Sequence, residues 1–305
     1  MKHLFRAIVI AGILLGFTSC YEDYVQDYEK PNMGFAITKS VRTVISGREA
    51  VVYVGVSIGG KRAVDMKDWA KFVIDESLVE GTGKTLMPSS YYQLGDSEYM
   101  RVRKDNLPVA DVKVTLTDAF FADPHSLENY YVLPFRMTEN SIGTIREGGE
   151  FTIPVFKYIS NYSGTYYRMG SVTEVDASGT PVGDVTHFGD TWDITKSPTV
   201  SFKTQAPQVV VCPGLGRDAE SVGSLVLSIE GTNVSAEGVT GKAAISDFTG
   251  VYKTEGEYYF PAAMSIKAPQ FNLQYVYSSA GKSYKVEEKL VLRQDPLYDL
   301  RVETW

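Results

Sequence analysis

From Val41 to the end of the chain, apolar residues recur at every second position in short runs, and clusters of glycine, proline, serine and asparagine separate the runs. Val52, Val54, Val56 and Ile58 fall on one face of such a run, with Val51, Tyr53, Gly55 and Ser57 on the other, and Gly59-Gly60 ends it. A period of two built from β-branched residues predicts a strand with one buried face. The same pattern predicts strands at Val41 to Ile45, at Trp69 to Asp75 (Ala70, Phe72 and Ile74 together), at Tyr99 to Arg103, at Val112 to Thr117 and at Tyr130 to Met137. Pro134 marks the last of these as an edge or a bulge. No segment before residue 155 carries a helical period, so residues 30–155 read as an antiparallel sandwich.

Pro154 to Gly164 reads as the join to a second unit, residues 156–305. There the predicted strands are Thr165 to Val175, Val182 to Phe188, Val200 to Lys203, Val209 to Val211, Ser224 to Ile229, Ala243 to Phe248 and Met264 to Lys267. A closing hairpin follows, in which Phe271, Leu273, Tyr275 and Tyr277 alternate, Ser279 to Lys282 turn, and Tyr284 to Arg293 return. Sequential meanders of this kind leave a barrel and a second sandwich both open, within an all-β fold class.

The first residues have another purpose. Lys2, His3 and Arg6 precede the mostly apolar Ala7 to Phe17, and Phe17-Thr18-Ser19-Cys20 ends the run with small residues before a cysteine. The run is too short to span a bilayer comfortably and its basic side comes first, so residues 1–19 read as an export signal. Cys20 then becomes the first mature residue and the lipid-attachment site, with enough acyl chain for stable anchoring. Residues 20–29 form an acidic tether.

Two cysteines are present, so with Cys20 acylated Cys212 has no partner within the chain, and the cores must hold the fold without a disulfide. Cys212 lies in the apolar run Val209-Val210-Val211-Cys212-Pro213 and reads as a buried, inert thiol without a basic neighbour close in sequence. Only His125 and His187 remain after the signal leaves, which argues against a His-rich metal site. The formal charge of −7 argues against nucleic acid as a partner.

A glycosidase needs two carboxyl groups converging across a cleft. The candidates are Asp190 with Asp193, Glu255 with Glu257, and Glu287-Glu288. No nucleophile elbow, phosphate loop, dinucleotide fingerprint or zinc-protease motif occurs, and Gly214-Leu215-Gly216 reads as a loop. The expectation is a protein that is not an enzyme, with no cofactor and no metal. Sugar binding asks less: an exposed ring to stack on a pyranose, and polar groups for its hydroxyls. Trp192 between Asp190 and Asp193 meets that description on a loop. Tyr258 and Tyr259 beside Glu255 and Glu257, and Tyr91-Tyr92 beside Gln93, are further candidates, although each ring taken singly fits a core or strand position better than a binding one.

Several segments resemble a known family. Tyr21-Glu22-Asp23 resembles the acidic signal that sends Bacteroidetes lipoproteins to the outer face of the outer membrane. Val52-Tyr53-Val54, Leu86-Met87-Pro88 with Tyr91-Tyr92, Val112-Lys113-Val114 and Tyr130-Tyr131-Val132-Leu133-Pro134-Phe135 resemble, in order and spacing, the N-terminal immunoglobulin-like domain of Bacteroidetes two-domain surface lipoproteins. Gly250-Val251-Tyr252, Tyr258-Tyr259-Phe260-Pro261 and Val291-Leu292-Arg293 resemble the lipocalin-like C-terminal domain of the same family.

The resemblance implies a protein of the kind found in polysaccharide-utilisation loci, anchored in outer-membrane lipid through Cys20 and facing the cell exterior. It would bind a polysaccharide or oligosaccharide without catalysis, beside an outer-membrane glycan transporter. The alternative is a structural or adhesin-like role through protein–protein contacts, and a glycoside hydrolase is the third reading.

Overall fold

The computed structural model describes residues 30–305 apart from 62–64, 105–106, 219, 242, 261–263 and 301–302. The signal segment, Cys20 and the acidic tether lie outside the described residues, as does the side chain of Tyr259.

The first part of the chain supplies β1 (Asn32–Gly34), β2 (Ser40–Ile45), β3 (Val51–Gly59), β4 (Trp69–Ile74), β5 (Thr85–Leu86), β6 (Tyr92–Leu94), β7 (Tyr99–Val102) and β8 (Val109–Leu116). After a short helix, α1 (Asp118–Ala122), come β9 (Tyr131–Val132), β10 (Phe135–Asn140), β11 (Phe151–Thr152) and β12 (Val155–Ile159). One sheet runs β1-β3-β8-β7-β4-β10-β11, with β6 also on β8, and is antiparallel throughout. Val54, Val56, Ile58, Phe72, Val112, Val114 and Phe135 are the inward positions of its alternating strands, and all are buried. They pack on Val44, Tyr131, Phe156 and Tyr158 of the second sheet.

That second sheet departs from the expected antiparallel pattern. β2 pairs with β12 in parallel, Val41 opposite Val155 through Ile45 opposite Ile159, and β5 pairs with β9 in parallel. Parallel neighbours need a long connection, and here the connection runs through the other sheet. The helix is also new to the sequence reading. Five residues are too few to carry a period of 3.6, yet Phe120 on α1 is fully buried beside Tyr91 and Tyr158.

The rest of the chain supplies β13 (Gly164–Val175), β14 (Thr186–Phe188), β15 (Thr199–Ala206), β16 (Val209–Pro213), β17 (Gly223–Glu230), β18 (Asn233–Gly241), β19 (Ala244–Phe260), β20 (Met264–Ser279) and β21 (Lys282–Leu292). Each strand from β15 to β21 pairs with the next, and β21 returns to β13 from Tyr166 opposite Leu292 to Val175 opposite Ser283. The result is an eight-stranded up-and-down barrel with β14 attached at its side. Of the two architectures left open, the barrel is the one formed.

Rings fill its interior. Tyr166 stacks on Phe202 with centroids 4.5 Å apart, and Phe271 meets Tyr166, Phe202 and Tyr252 at 5.6, 5.3 and 4.9 Å. The loop after β16 turns into one end, where Leu215 is fully buried. Gly216, with φ +57°, lies so close to Val172 that a β-carbon would sit 2.9 Å from its methyl group.

After β21 the chain passes through α2 (Pro296–Asp299) to β22 (Glu303–Thr304), which pairs with β2 of the sandwich. Trp305 Nε1 donates to Ile153 O at 3.0 Å, and the Lys39 ammonium lies 4.7 Å from its ring centre. Ser46 and Ser160 both donate to Pro207 O, and Arg48 pairs with Asp295 at 2.8 Å, so barrel and sandwich are tied at several points.

Candidate functional site

The loop from Gly189 to Ser197 connects β14 to β15 and lies on the outer surface of β13. Gly189 has φ +74°, and a β-carbon there would meet Arg168 O at 2.6 Å, so the chain can lie this close only without a side chain. From that contact the loop is held by its own polar groups. Asp190 Oδ1 accepts the backbone N–H of Trp192 at 2.8 Å and of Asp193 at 2.9 Å, and the Asp190 N–H donates to Ser197 Oγ at 2.9 Å. Asp193 Oδ1 accepts the N–H and the hydroxyl of Thr195 at 3.2 and 2.6 Å, which starts a 3-10 turn, Ile194–Lys196, and Lys196 pairs with its other oxygen at 3.3 Å.

These two carboxylates therefore organise the loop. The backbone donors of Asp193 and Trp192 hold Asp190 below the ordinary carboxylate range, and the Thr195 hydroxyl does the same for Asp193. Both are depressed in the folded state, so their contribution is complete above about pH 4 and is lost as pH falls through the depressed values. Trp192 emission is expected to stay constant from pH 8 to pH 5 and to change only in more acid solution. A transition near neutrality would contradict this assignment.

The organised loop does two things. It inserts Ile194, 1% exposed, against Met169 and Val291, and it leaves Trp192 76% exposed. β19 and β20 also run beyond the barrel rim, paired with each other from Gly256 opposite Ala268 to Phe260 opposite Met264. This arm brings half-buried Tyr258 against the same small core. Between loop, arm and barrel wall lies a recess of about 210 Å³ lined by Met169, Gly170, Thr191, Ile194, Tyr258 and Lys289.

The structure thus packs the loop that carries Asp190, Trp192 and Asp193 against Tyr258 through Ile194, with the four residues in unequal roles. Trp192 is presented outward, Tyr258 is a wall of the recess, and the two aspartates bond within the loop. Lys289, Thr191 and Met169 were not singled out by sequence. Lys289 and Met169 are directly paired across β13 and β21, so outward strand parity could have found them.

The remaining sequence candidates are placed elsewhere. Glu287 and Glu288 alternate: Glu288 is inside the barrel, while Glu287 pairs outside with Lys285 at 3.0 Å. Glu255 pairs with Lys267 at 3.4 Å on the exposed arm. Tyr91 is half-buried against the sandwich core and donates to Asp123 at 2.8 Å. His125 stacks on Tyr130 in the sandwich, while His187 is on β14 of the barrel. Among the described residues no group of three His, Cys, Asp or Glu side chains is placed to hold a metal ion.

Cys212 is buried as expected, but it has the basic neighbour that its sequence surroundings lack. Arg168 Nη2 donates to Cys212 Sγ at 2.8 Å, Nη1 donates to Pro213 O at 3.0 Å, and Nε lies 3.1 Å from Glu288 Oε2 without hydrogen-bond alignment. Tyr275 donates to Glu288 Oε1 at 3.0 Å and accepts the Gly216 N–H at 2.8 Å. Burial pushes the thiol up to about 12 despite the guanidinium, so it remains an unreactive S–H. Burial lowers the Arg168 value and the Glu288 carboxylate outweighs it, so the guanidinium stays charged. This cluster is internal to the barrel.

Residues 21–144 match a family model described as an N-terminal domain. No curated protein matches the chain. Among solved structures, a Bacteroides ovatus protein of unknown function is 21% identical, with 92% of this chain and 99% of that one covered and a TM-score of 0.71. The two share a fold. An auxiliary nutrient binding protein from Bacteroides thetaiotaomicron is 14% identical over 88% of this chain and 96% of that one, with a TM-score of 0.41. A Bacteroides ovatus protein described provisionally as carbohydrate binding is 11% identical over 87% of this chain and 71% of that one, with a TM-score of 0.29.

Proposed function

We propose that this chain is a lipid-anchored protein of the outer cell surface that binds a glycan without transforming it and holds polysaccharide near an outer-membrane glycan transporter. Residues 1–19 act as the export signal, Cys20 carries the lipid, residues 20–29 form the tether, residues 30–155 serve as a spacer and residues 156–305 carry the binding surface. The observation that supports this reading is the exposed Trp192 indole on a backbone fixed by Asp190 and Asp193, next to a recess edged by Thr191, Tyr258 and Lys289. An exposed ring carried on a fixed loop can stack on the apolar face of a pyranose without the loop first being ordered, and the hydroxyl and ammonium groups of the adjoining recess suit sugar oxygens.

Affinity electrophoresis of residues 21–305 across a panel of polysaccharides tests this. One polysaccharide class should retard the protein, and Trp192→Ala should weaken that retardation tenfold or more, about 1.4 kcal/mol, with unchanged melting. Unaltered retardation of the variant would move the site elsewhere, and no retardation across the panel would count against the reading.

A second reading has an observation of its own. Among the described residues β18 and β19 pair only at Asn233 and Val234, opposite Val251 and Gly250, and then diverge, with Asp247 at φ +51° in the bulge. A seam of this kind can accept a strand from a partner protein, as an adhesin-like role requires.

A further inference from the structure

The sandwich carries a second candidate site, independent of Trp192. β2 and β3 are consecutive strands in different sheets, and the groove between them measures about 490 Å³. Val44, Val52, Leu297 and Leu300 form its apolar walls and Tyr53 lies at one side. Into it comes Arg42. In the parallel register Arg42 is opposite Phe156, a fully buried core residue, so its side chain leaves β2 on the inward face.

Its Nε is shut off from solvent and has no hydrogen-bond partner, and among the described residues no carboxylate pairs with the guanidinium. Burial pushes the group down from its ordinary value, with nothing opposing the shift. The other charges of the groove are differently placed. Arg48 donates to Asn161 Oδ1 at 2.7 Å and pairs with Asp295, while Glu49 is exposed. A half-buried cation whose Nε is desolvated and that has no counter-charge is costly, and a planar fork of donors fits a carboxylate.

We propose that this groove binds a small carboxylate-bearing molecule, with Arg42 taking the carboxylate and Val44, Val52, Leu297 and Leu300 receiving its carbon frame. The volume suits a ligand of monosaccharide size or somewhat larger.

The test uses three carboxylates, glucuronate, benzoate and hexanoate, each beside its neutral counterpart, glucose, benzamide and hexanamide. They are titrated into residues 21–305 while the Arg42 Nε–H resonance is followed and the dissociation constant is measured by calorimetry. At least one acid should shift that resonance and its neutral counterpart should not. Arg42→Gln should weaken binding tenfold or more, and Arg42→Lys should retain part of it. The identity of the acid that binds separates an acidic sugar from an aromatic or aliphatic acid. The proposal falls if no acid moves the Nε–H resonance, if the neutral counterpart binds equally well, or if Arg42→Gln binds as the parent does. Because the groove and the Trp192 loop are on different parts of the fold, failure here and failure of glycan binding are separately visible.

Discussion

Replacing Glu288 by alanine is expected to lower the stability of the chain by about 3–5 kcal/mol in urea unfolding. Glu288 is 4% exposed and Arg168 is 7% exposed, so the substitution leaves a full positive charge inside the barrel with only Pro213 O and the Cys212 sulfur to receive it. It also frees the Tyr275 hydroxyl that bonds Glu288, a second buried group losing its acceptor. The pair is not for that reason a net source of stability. Taking both ions out of water costs about as much as their attraction returns, so Arg168→Met combined with Glu288→Met should be near neutral or should gain about 1–4 kcal/mol. A single-variant loss under about 1 kcal/mol would mean that water reaches the pair and that this part of the barrel is not closed.

Phe271→Ala should cost a similar amount, about 3–5 kcal/mol, for a different reason. Phe271 is fully buried and faces Tyr166, Phe202 and Tyr252, which are supplied by β13, β15 and β19. Removing the ring forfeits its burial and opens a cavity among neighbours that are themselves large and fixed, so little collapse can follow. Trp192→Ala provides the contrast. It removes an exposed ring and should change stability by no more than about 0.5 kcal/mol. A large loss for Trp192→Ala, or a small one for Phe271→Ala, would reverse the assignment of platform and core.

Much of this arrangement follows from local pattern. Phe271, Leu273, Tyr275 and Tyr277 alternate in the sequence, and all four are at most 1% exposed in the barrel. The predicted turn at Ser279 to Lys282 is present as a two-residue connection through Ala280 and Gly281, both with positive φ. β19 and β20 were harder to read. Each is a single long strand, but in β19 the β-bulges between Ser246 and Thr249 and between Lys253 and Gly256 shift the alternation, so its sequence shows broken runs.

What could not be read depends on contacts between distant residues. The parallel pairing of β2 with β12 leaves no local trace, because each strand alone has an ordinary pattern. Arg168 sits at the same parity as the core residues Tyr166 and Val172, which marks it as inward, but its partners Cys212 and Glu288 come from β16 and β21. The candidate site was legible in composition and not in role. Asp190 and Asp193 flank Trp192 as a sugar site would require, and an Asp two or three residues before a backbone N–H can as readily bond that N–H. The recess depends on the β19–β20 arm and the outward face of β13, neither of which neighbours Trp192 in the sequence.

Whether Trp192 receives sugar can be tested directly, because the chain contains only three tryptophans. In a variant carrying Trp69→Phe and Trp305→Phe, all indole emission comes from Trp192. Titration with the polysaccharide that retards the parent should shift that emission to shorter wavelength and saturate at the affinity found for the parent. Emission that stays unchanged while the polysaccharide binds would contradict that role for Trp192.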